Sequence, residues 1–366
     1  MNKNEYYIRE CIKLAKKGSG FVSPNPLVGC IIEKGNNVIG KGFHEVYGYN
    51  HAEINAINDA KINGFKLRGA TLYVNLEPCN HYGKTPPCTD IIISEKIGTV
   101  VIGIKDPNNK VKGNGIGKLE KSGIKVIQNI LAGECIEVNK FFIKFVTKKL
   151  PYITLKVAQS LDGKIALSNF NSKWITNEKS RKYVHRLRSN YDAILIGKNT
   201  ALYDNPSLTT GDAKGRNPQR FVIDKNSELP LNLKIYKDDN NLNTYTFIKS
   251  RLSESKNKQL KNTNKISLKE INHNFSLKQI LKTIYSLGIS SLLVEGGGNL
   301  FGLFIKENLF DDIYFIIAPK IIGKGITYSD DIWLAKLSDA KLLNLEKVIT
   351  SDEDIILYYK NINRKK

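Results

Sequence analysis

The stretch ATLYVNLEPCNHYGKTPPCTDIIISEKIGTVVIGI, residues 70–104, decides the fold. ATLYVNL (70–76) and TVVIGI (99–104) are β-branched apolar runs of strand length. TDIIISEK (89–96) between them reads as a helix. Strand, helix and strand in that order argue for an α/β layer architecture. The loop after the first strand carries Cys79 and Cys88, nine positions apart, among three prolines, a glycine and a histidine. Those thiols leave three uses open: a disulfide, a structural zinc clip, or part of an active site. Two thiols cannot close a zinc site, so a metal reading needs further ligands from elsewhere in the chain.

Outward from this stretch the alternation continues. EYYIRECIKLAKKG (5–18) has apolar residues at helical spacing and stops at Gly18. LVGCIIE (27–33) and NVIGKGF (37–43) read as paired strands, AEINAINDAKI (52–62) as a helix ended by Asn63-Gly64, IKVI (124–127) as a strand and residues 134–148 as helical. Together these predict a three-layer α/β domain over residues 1–147. The pattern restarts near Lys149-Leu150-Pro151, which opens a second α/β domain over 148–366. Its predicted strands are 152–163, 192–197, 220–224, 291–298, 312–323 and 354–360, with a helix over 299–307. The polar, Asn/Lys-rich residues 237–275 read as loops around one short strand, TYTFI (244–248). There is no internal repeat.

Composition sets the class. With 366 residues, 41% hydrophobic and 25% charged, the chain reads as an ordinary globular protein of two or three domains. The start, MNKNEYYIRE, has no apolar signal core, and no apolar run of about 18 residues occurs. A cytoplasmic protein with no membrane partner is the expectation, and its thiols stay reduced, which argues against a Cys79–Cys88 disulfide. Cys11, Cys30 and Cys135 lie in apolar periodic stretches and read as core residues. The net charge of +21 is spread along the chain: residues 1–147 hold 20 Lys+Arg against 13 Asp+Glu, and no basic stripe forms. The reading is a diffuse basic surface and no nucleic-acid partner.

The missing ligands lie upstream, in His51-Ala52-Glu53 at the start of a predicted helix. One imidazole and two thiolates make a zinc set that leaves the fourth position open. Zinc lowers the pKa of water there from about 15.7 to about 7. Residues two apart on a helix diverge by about 200°, so His51 and Glu53 can serve one metal only in the first turn. Asn50 is the expected cap of that turn. A structural zinc site would need His81 or His44 as a fourth ligand. A zinc-deaminase signature of the form H-x-E…P-C-x-x-C fits except that eight residues, not two, separate the cysteines.

The pieces SPNPLVGC (23–30), GFHEVYG (42–48), HAE (51–53), LEPCNHYGKTPPC (76–88) and DPNNKVKGNGIGKL (106–119) resemble the deaminase domain of the bifunctional riboflavin-biosynthesis deaminase/reductase family. The wide cysteine spacing is that family's own. The resemblance implies a cytidine-deaminase-like domain with zinc on His51, Cys79 and Cys88, Glu53 as the catalytic proton shuttle, and Asn25, His44, His81 and Lys84 lining the substrate pocket. Gly113-Asn114-Gly115-Ile116-Gly117 lacks dinucleotide-loop spacing and reads as a turn opening a short helix.

Glu295-Gly296-Gly297-Gly298 follows a predicted strand and precedes a helix, where backbone amides can hold a phosphate. A plain tight turn fits the same residues. YITLKVAQSLDGKIA (152–166), SKWIT (172–176), RLRSNYDAILIGKNTALYDNPSLT (186–209) and LLVEGGGNLFG (292–302) resemble the family's reductase domain, which is similar to dihydrofolate reductase in fold and uses NADPH. That resemblance implies dinucleotide contacts from Ala158, Trp174, Thr200, Asp204, Gly297, Gly298, Asn299, Leu300, Phe301, Gly302 and Leu303. It implies substrate contacts from Lys156, Ser172, Arg188, Leu208 and Glu295. Trp174 and Leu208 also fit as plain core residues. The family often carries an arginine shortly after the LT of NPSLT; here that stretch runs Thr209-Thr210-Gly211, and Arg216 is the candidate replacement. The expected protein is a homo-oligomer acting on a small phosphoribosyl pyrimidine: deamination with one zinc ion per chain, then reduction of the ribosyl group with NADPH. A tRNA or nucleoside deaminase would carry a short C-x-x-C pair; a zinc-stabilised nucleic-acid-binding protein would carry four ligands.

Overall fold

A computed structural model describes residues 2–83, 86–108, 113–213, 215–237, 244–249, 266–270, 275–329 and 332–362. The chain divides into two compact units, Met1–Leu150 and Pro151–Lys366.

The first unit holds a five-stranded sheet in the order β2-β1-β3-β4-β5. Its strands are β1 (Gly29–Lys34), β2 (Asn37–Phe43), β3 (Thr71–Leu76), β4 (Thr99–Ile104) and β5 (Lys125–Ile127). β1 runs antiparallel to both β2 and β3, and β3, β4 and β5 are parallel. Helices α1 (Lys3–Ala15) and α2 (Ala52–Ile62) cover opposite faces. The assignment follows from the pleat, because adjacent residues of a strand point to opposite faces. A Cβ on Gly29 would collide with the Cys11 carbonyl of α1. Gly42, opposite Cys30, has no room for a Cβ against Ala52 and Ala56 of α2. Gly40 is closed in by Ala56 and Ala60 in the same way. These glycines let α2 lie directly on β2, which fixes where its first turn points.

Three further helices follow: α3 (Cys88–Ser94), α4 (Asn114–Lys121) and α5 (Ala132–Val138), before α6 (Lys140–Lys148). The predicted single helix over 134–148 is therefore two. Asn139 breaks it, because its buried side chain bonds both the N–H and the carbonyl of Leu27. The first helical residue of α2 is Ala52, so His51 occupies the cap position and Asn50 does not. Asn50 instead uses its carbonyl to hold His44.

The second unit is built on a nine-stranded sheet. Its strands are β6 (Tyr152–Ser160), β8 (Ala193–Gly197), β9 (Gln219–Ile223), β10 (Thr244–Ile248), β11 (Ile266–Glu270), β12 (Ser291–Val294), β13 (Asp312–Ala318), β15 (Leu343–Ser351) and β16 (Asp354–Asn361). The order is β11-β10-β9-β8-β12-β6-β13-β16-β15. Seven neighbours from β11 to β13 are parallel, and the last two strands return antiparallel. A separate ribbon pairs β7 (Lys164–Leu167) with β14 (Gly325–Thr327). Helices α7 (Glu178–Arg188), α8 (Lys198–Asp204), α9 (Lys234–Lys237), α10 (Leu277–Ser286) and α11 (Gly298–Lys306) connect the strands. Three features depart from expectation. The tract read as loops contains β11 beside β10. The strand begun at Asp312 ends at Ala318, before Pro319. The edge strand β15, exposed along most of its length, was not expected.

Candidate active sites

In the first unit the carboxyl ends of β3 and β4 and the amino ends of α2 and α3 surround a cleft of about 250 Å³. Chain leaving β3 supplies Glu77 and Cys79, the first residue of α3 is Cys88, and the cap and first turn of α2 supply His51 and Glu53. His51 Nδ1 lies 3.2 Å from Cys88 Sγ and 3.5 Å from Cys79 Sγ. All three ligand atoms fall within 4.8 Å of one another. A tetrahedral ion with bonds of about 2.3 Å to sulfur and about 2.0 Å to nitrogen separates such atoms by about 3.5 Å. The donor set therefore fits zinc in both chemistry and size, with room for a fourth ligand on the cleft side.

The electrostatics match. Hydrogen bonding from Cys88, together with that from the His51 ring, pulls the Cys79 thiol well down into the thiolate range, against its burial. Cys88 is pushed up by the same shared hydrogen bond and by burial. The amide of Cys88 points at Cys79 Sγ at 3.3 Å. Glu53 is buried beside Cys88, and desolvation raises it to about 7.

Residues around the metal set are held by hydrogen bonds that fix their roles. His44 Nδ1 donates to the Asn50 carbonyl at 2.9 Å, which leaves Nε2 as the acceptor for the Asn25 side-chain amide at 3.1 Å. Burial lowers the pKa of His44, consistent with that neutral tautomer. Asn25, His44 and His81 all line the cleft; Lys84 lies outside the described residues. Sequence reasoning missed Tyr47, Glu77, Asp106, Asn108 and Phe142, which also line it. Asp106, raised to about 6 mainly by burial, carried a signal in its position just past a parallel strand.

In the second unit some of the expected residues meet at the carboxyl ends of β12, β6 and β8: Lys156, Arg188 and Glu295, with Thr200 beside Gly297. Glu295, the first residue after β12, accepts two hydrogen bonds from Arg188 (2.7 and 3.0 Å) and an ion pair from Lys156 (2.9 Å). Burial would raise its pKa, but Arg188 and Lys156 override that and hold it far below the usual carboxylate range. Arg188 also donates to the Thr209 carbonyl at 2.8 Å, tying this cluster to the loop that holds buried Leu208. Because β8 and β12 are parallel neighbours, the helices that follow them start side by side, and Thr200 adjoins Gly297. Helix geometry leaves the amides of Gly298 and Asn299 without an acceptor inside α11. Gly298 is packed against the Thr327 carbonyl too closely for a side chain. Leu300, Phe301 and Gly302 are buried, while Leu303 is exposed. Ser172 donates to Asp204 at 2.6 Å. Ala158 lies on the same face of β6 as Lys156. Trp174 is 63% exposed under the Arg181 guanidinium, so it is not a core residue.

Arg216 is elsewhere. It pairs with Asp192, which also accepts from Ser290 and Ser291. Asp192 and Ser290 directly precede β8 and β12 and Ser291 opens β12, so they mark the opposite end of the strands from Glu295. The imidazole of His185 fills the space where a side chain at Gly211 would stand.

One unit thus carries a His/Cys/Cys set that fits zinc and the other an ion-pair cluster beside a glycine turn on a parallel sheet, the arrangement of a bifunctional enzyme. Residues 1–104 match the family model of the cytidine and deoxycytidylate deaminase zinc-binding region, and residues 151–357 that of the RibD C-terminal domain. The riboflavin biosynthesis protein RibD of Aquifex aeolicus is 40% identical over 355 residues, 97% of each chain. The solved diaminohydroxyphosphoribosylaminopyrimidine deaminase/5-amino-6-(5-phosphoribosylamino)uracil reductase of Thermotoga maritima is 40% identical, with a TM-score of 0.90 over 98% of each chain. RibD of Acinetobacter baumannii gives 0.88 at 31% identity, covering 98% of this chain and 99% of its own. The chain belongs to the RibD family of bifunctional riboflavin-biosynthesis enzymes, with a zinc-dependent, cytidine-deaminase-like N-terminal domain and an NADPH-dependent reductase domain after it. Among the described residues no helix is long and apolar enough to cross a membrane.

Proposed function

We propose that residues 1–147 remove the 2-amino group of 2,5-diamino-6-(5-phosphoribosylamino)pyrimidin-4(3H)-one. Residues 148–366 then reduce the ribosyl group of the resulting uracil to ribityl. The observation that carries the first step is the His51–Cys79–Cys88 donor set with buried Glu53 beside it. In this reading His51, Cys79 and Cys88 hold zinc, which when bound supplies Lewis acidity toward water at neutral pH. Glu53 takes a proton from the attacking water and delivers it to the departing amine, so the carbon–nitrogen bond breaks, ammonia leaves, and the water oxygen stays on the ring carbon as the carbonyl. Neutral His44 holds Asn25 in place, and these residues with His81 and Lys84 orient the pyrimidine and its phosphoribosyl arm.

In the second step NADPH supplies hydride, and the chain orients it. Ala158, Trp174, Thr200, Asp204 and the Gly297–Leu303 segment hold the dinucleotide. Lys156, Ser172, Arg188, Leu208 and Glu295 hold the substrate. With Glu295 ionised, the Lys156–Arg188–Glu295 cluster keeps one net positive charge, suited to a phosphorylated sugar. We place the enzyme in the cytoplasm, where its thiols stay reduced, and expect a homo-oligomer.

The test is incubation of pure protein with the diaminopyrimidine phosphate and NADPH, following ammonia and NADPH oxidation together. One ammonia and one NADPH oxidised per substrate, in that order, are expected. NADPH oxidation without ammonia, or no ammonia at all, overturns the proposal.

A further inference from the structure

We propose that Glu77 is a positioning residue for the metal site: its carboxylate, clamped by four backbone amides, sets where Cys79 stands. Glu77 is 3% exposed and directly follows β3; its own amide bonds the Ile104 carbonyl at the end of β4. Its Oε2 accepts from the amides of Asp106 and Gly113, both at 3.0 Å. Its Oε1 accepts from Gly115 at 3.0 Å and Ile116 at 3.2 Å. Gly113 is the cap residue of α4, and Gly115 and Ile116 lie in its first turn. One side chain therefore joins the end of β3, the chain after β4 and the amino end of α4. A carboxylate there also suits the helix dipole.

Two residues on, the chain has little freedom. Pro78 follows, and its carbonyl oxygen lies against Gly115 so closely that a Cβ at 115 would collide with it. Asn80 donates to the Asn114 carbonyl at 3.3 Å and accepts from Thr89 at 3.1 Å. The Cys79 carbonyl accepts from the Thr89 amide at 3.2 Å. Cys79 is thus strung between α4 on one side and the start of α3, which bears Cys88, on the other. The requirement is for an acid rather than its amide. All four donors need lone pairs on both oxygens, and a glutamine nitrogen would face two of them with further N–H groups.

The inference rests on the metal reading above, and the experiment separates the two. Zinc affinity of the full chain is measured by chelator competition, and the cobalt(II)-substituted protein reports thiolate coordination through its charge-transfer band. Wild-type protein that binds no zinc through His51, Cys79 and Cys88 sinks the metal reading, and this inference with it. If wild type binds zinc, Glu77→Gln is expected to weaken it by about 10- to 100-fold, the range for partners that orient metal ligands, with a displaced cobalt band. A Glu77→Gln protein that melts earlier but binds zinc with wild-type affinity and an unchanged band would show a helix cap only, and overturns the proposal. Should Glu77→Gln not fold, Glu77→Asp decides. It keeps a carboxylate but is one methylene too short to hold all four amides, and unchanged zinc affinity with an unchanged cobalt band there overturns the proposal equally.

Discussion

Buried Glu53 in the first unit and buried Glu295 in the second have opposite surroundings. Glu295 sits between Arg188 and Lys156, and its charge is locked. Glu53 has the His51 ring and two thiols for neighbours and, among the described residues, no lysine or arginine ion pair. Burial is the first influence on both, and it pushes both upward. The neighbours decide the outcome: paired with two cations, a carboxylate becomes a fixed charge; without them it remains able to carry a proton. The contrast extends to the sites as a whole. The first is assembled from side chains that converge on one point, the second from backbone at a glycine turn plus one ion-pair cluster.

The sharpest way to break the comparison is to empty the first site. Chelation, or Cys88→Ser, should abolish ammonia release while NADPH oxidation on pre-deaminated substrate continues; loss of both activities would mean the sites are not separate. Next in size is Glu295→Gln. It leaves Arg188 and Lys156 buried without their counter-charge, a loss of about 3–5 kcal/mol in the second unit, read by denaturant unfolding. Glu295 has a folded pKa below its unfolded one. Its stabilisation is thus complete above the unfolded value, about 4.3, and is lost as pH falls toward the folded value. The gap between wild type and Glu295→Gln should therefore narrow on acidification below about pH 4; a constant gap would mean Glu295 does not act through its charge.

Smaller changes sharpen the picture. Gly42→Ala drives a methyl group into Ala52 and Ala56. It should cost about 1–3 kcal/mol in the first unit and slow ammonia release by up to about 100-fold, as expected when the start of α2 shifts by an ångström. Unchanged kinetics would mean that the contact between β2 and α2 does not aim His51 and Glu53. Arg216→Ala, at the far end of the strands, should cost about 1 kcal/mol or less, since the arginine is a third exposed, and leave the reductase KM unaltered. A raised KM would return Arg216 to the substrate.

The same contrast explains what was legible in the sequence. β3, β4 and α2 were readable because their apolar pattern is local. The metal set was readable because imidazole and thiolate are chemically distinctive at any spacing. Glu77 was not, since its four partners lie 29 to 39 residues away and are all backbone. The break at Asn139 was hidden for the same reason: it depends on Leu27, 112 residues distant. In the second unit the glycine turn was visible but equally compatible with a plain turn. β11 and β15 were missed because each is an edge strand, held in place by pairing with a single neighbouring strand. Arg216 was drawn toward the site by closeness in sequence, and Asp192 takes it elsewhere.

The central claim is that Glu53 moves protons at a metal held by other residues, independently of the second unit. Its most direct test is Glu53→Gln in the full chain, with zinc content, ammonia release and NADPH oxidation measured on one preparation. The account predicts one zinc retained, ammonia release reduced by about 10²- to 10⁴-fold and wild-type NADPH oxidation on pre-deaminated substrate. Wild-type ammonia release, or loss of zinc together with activity, would contradict it.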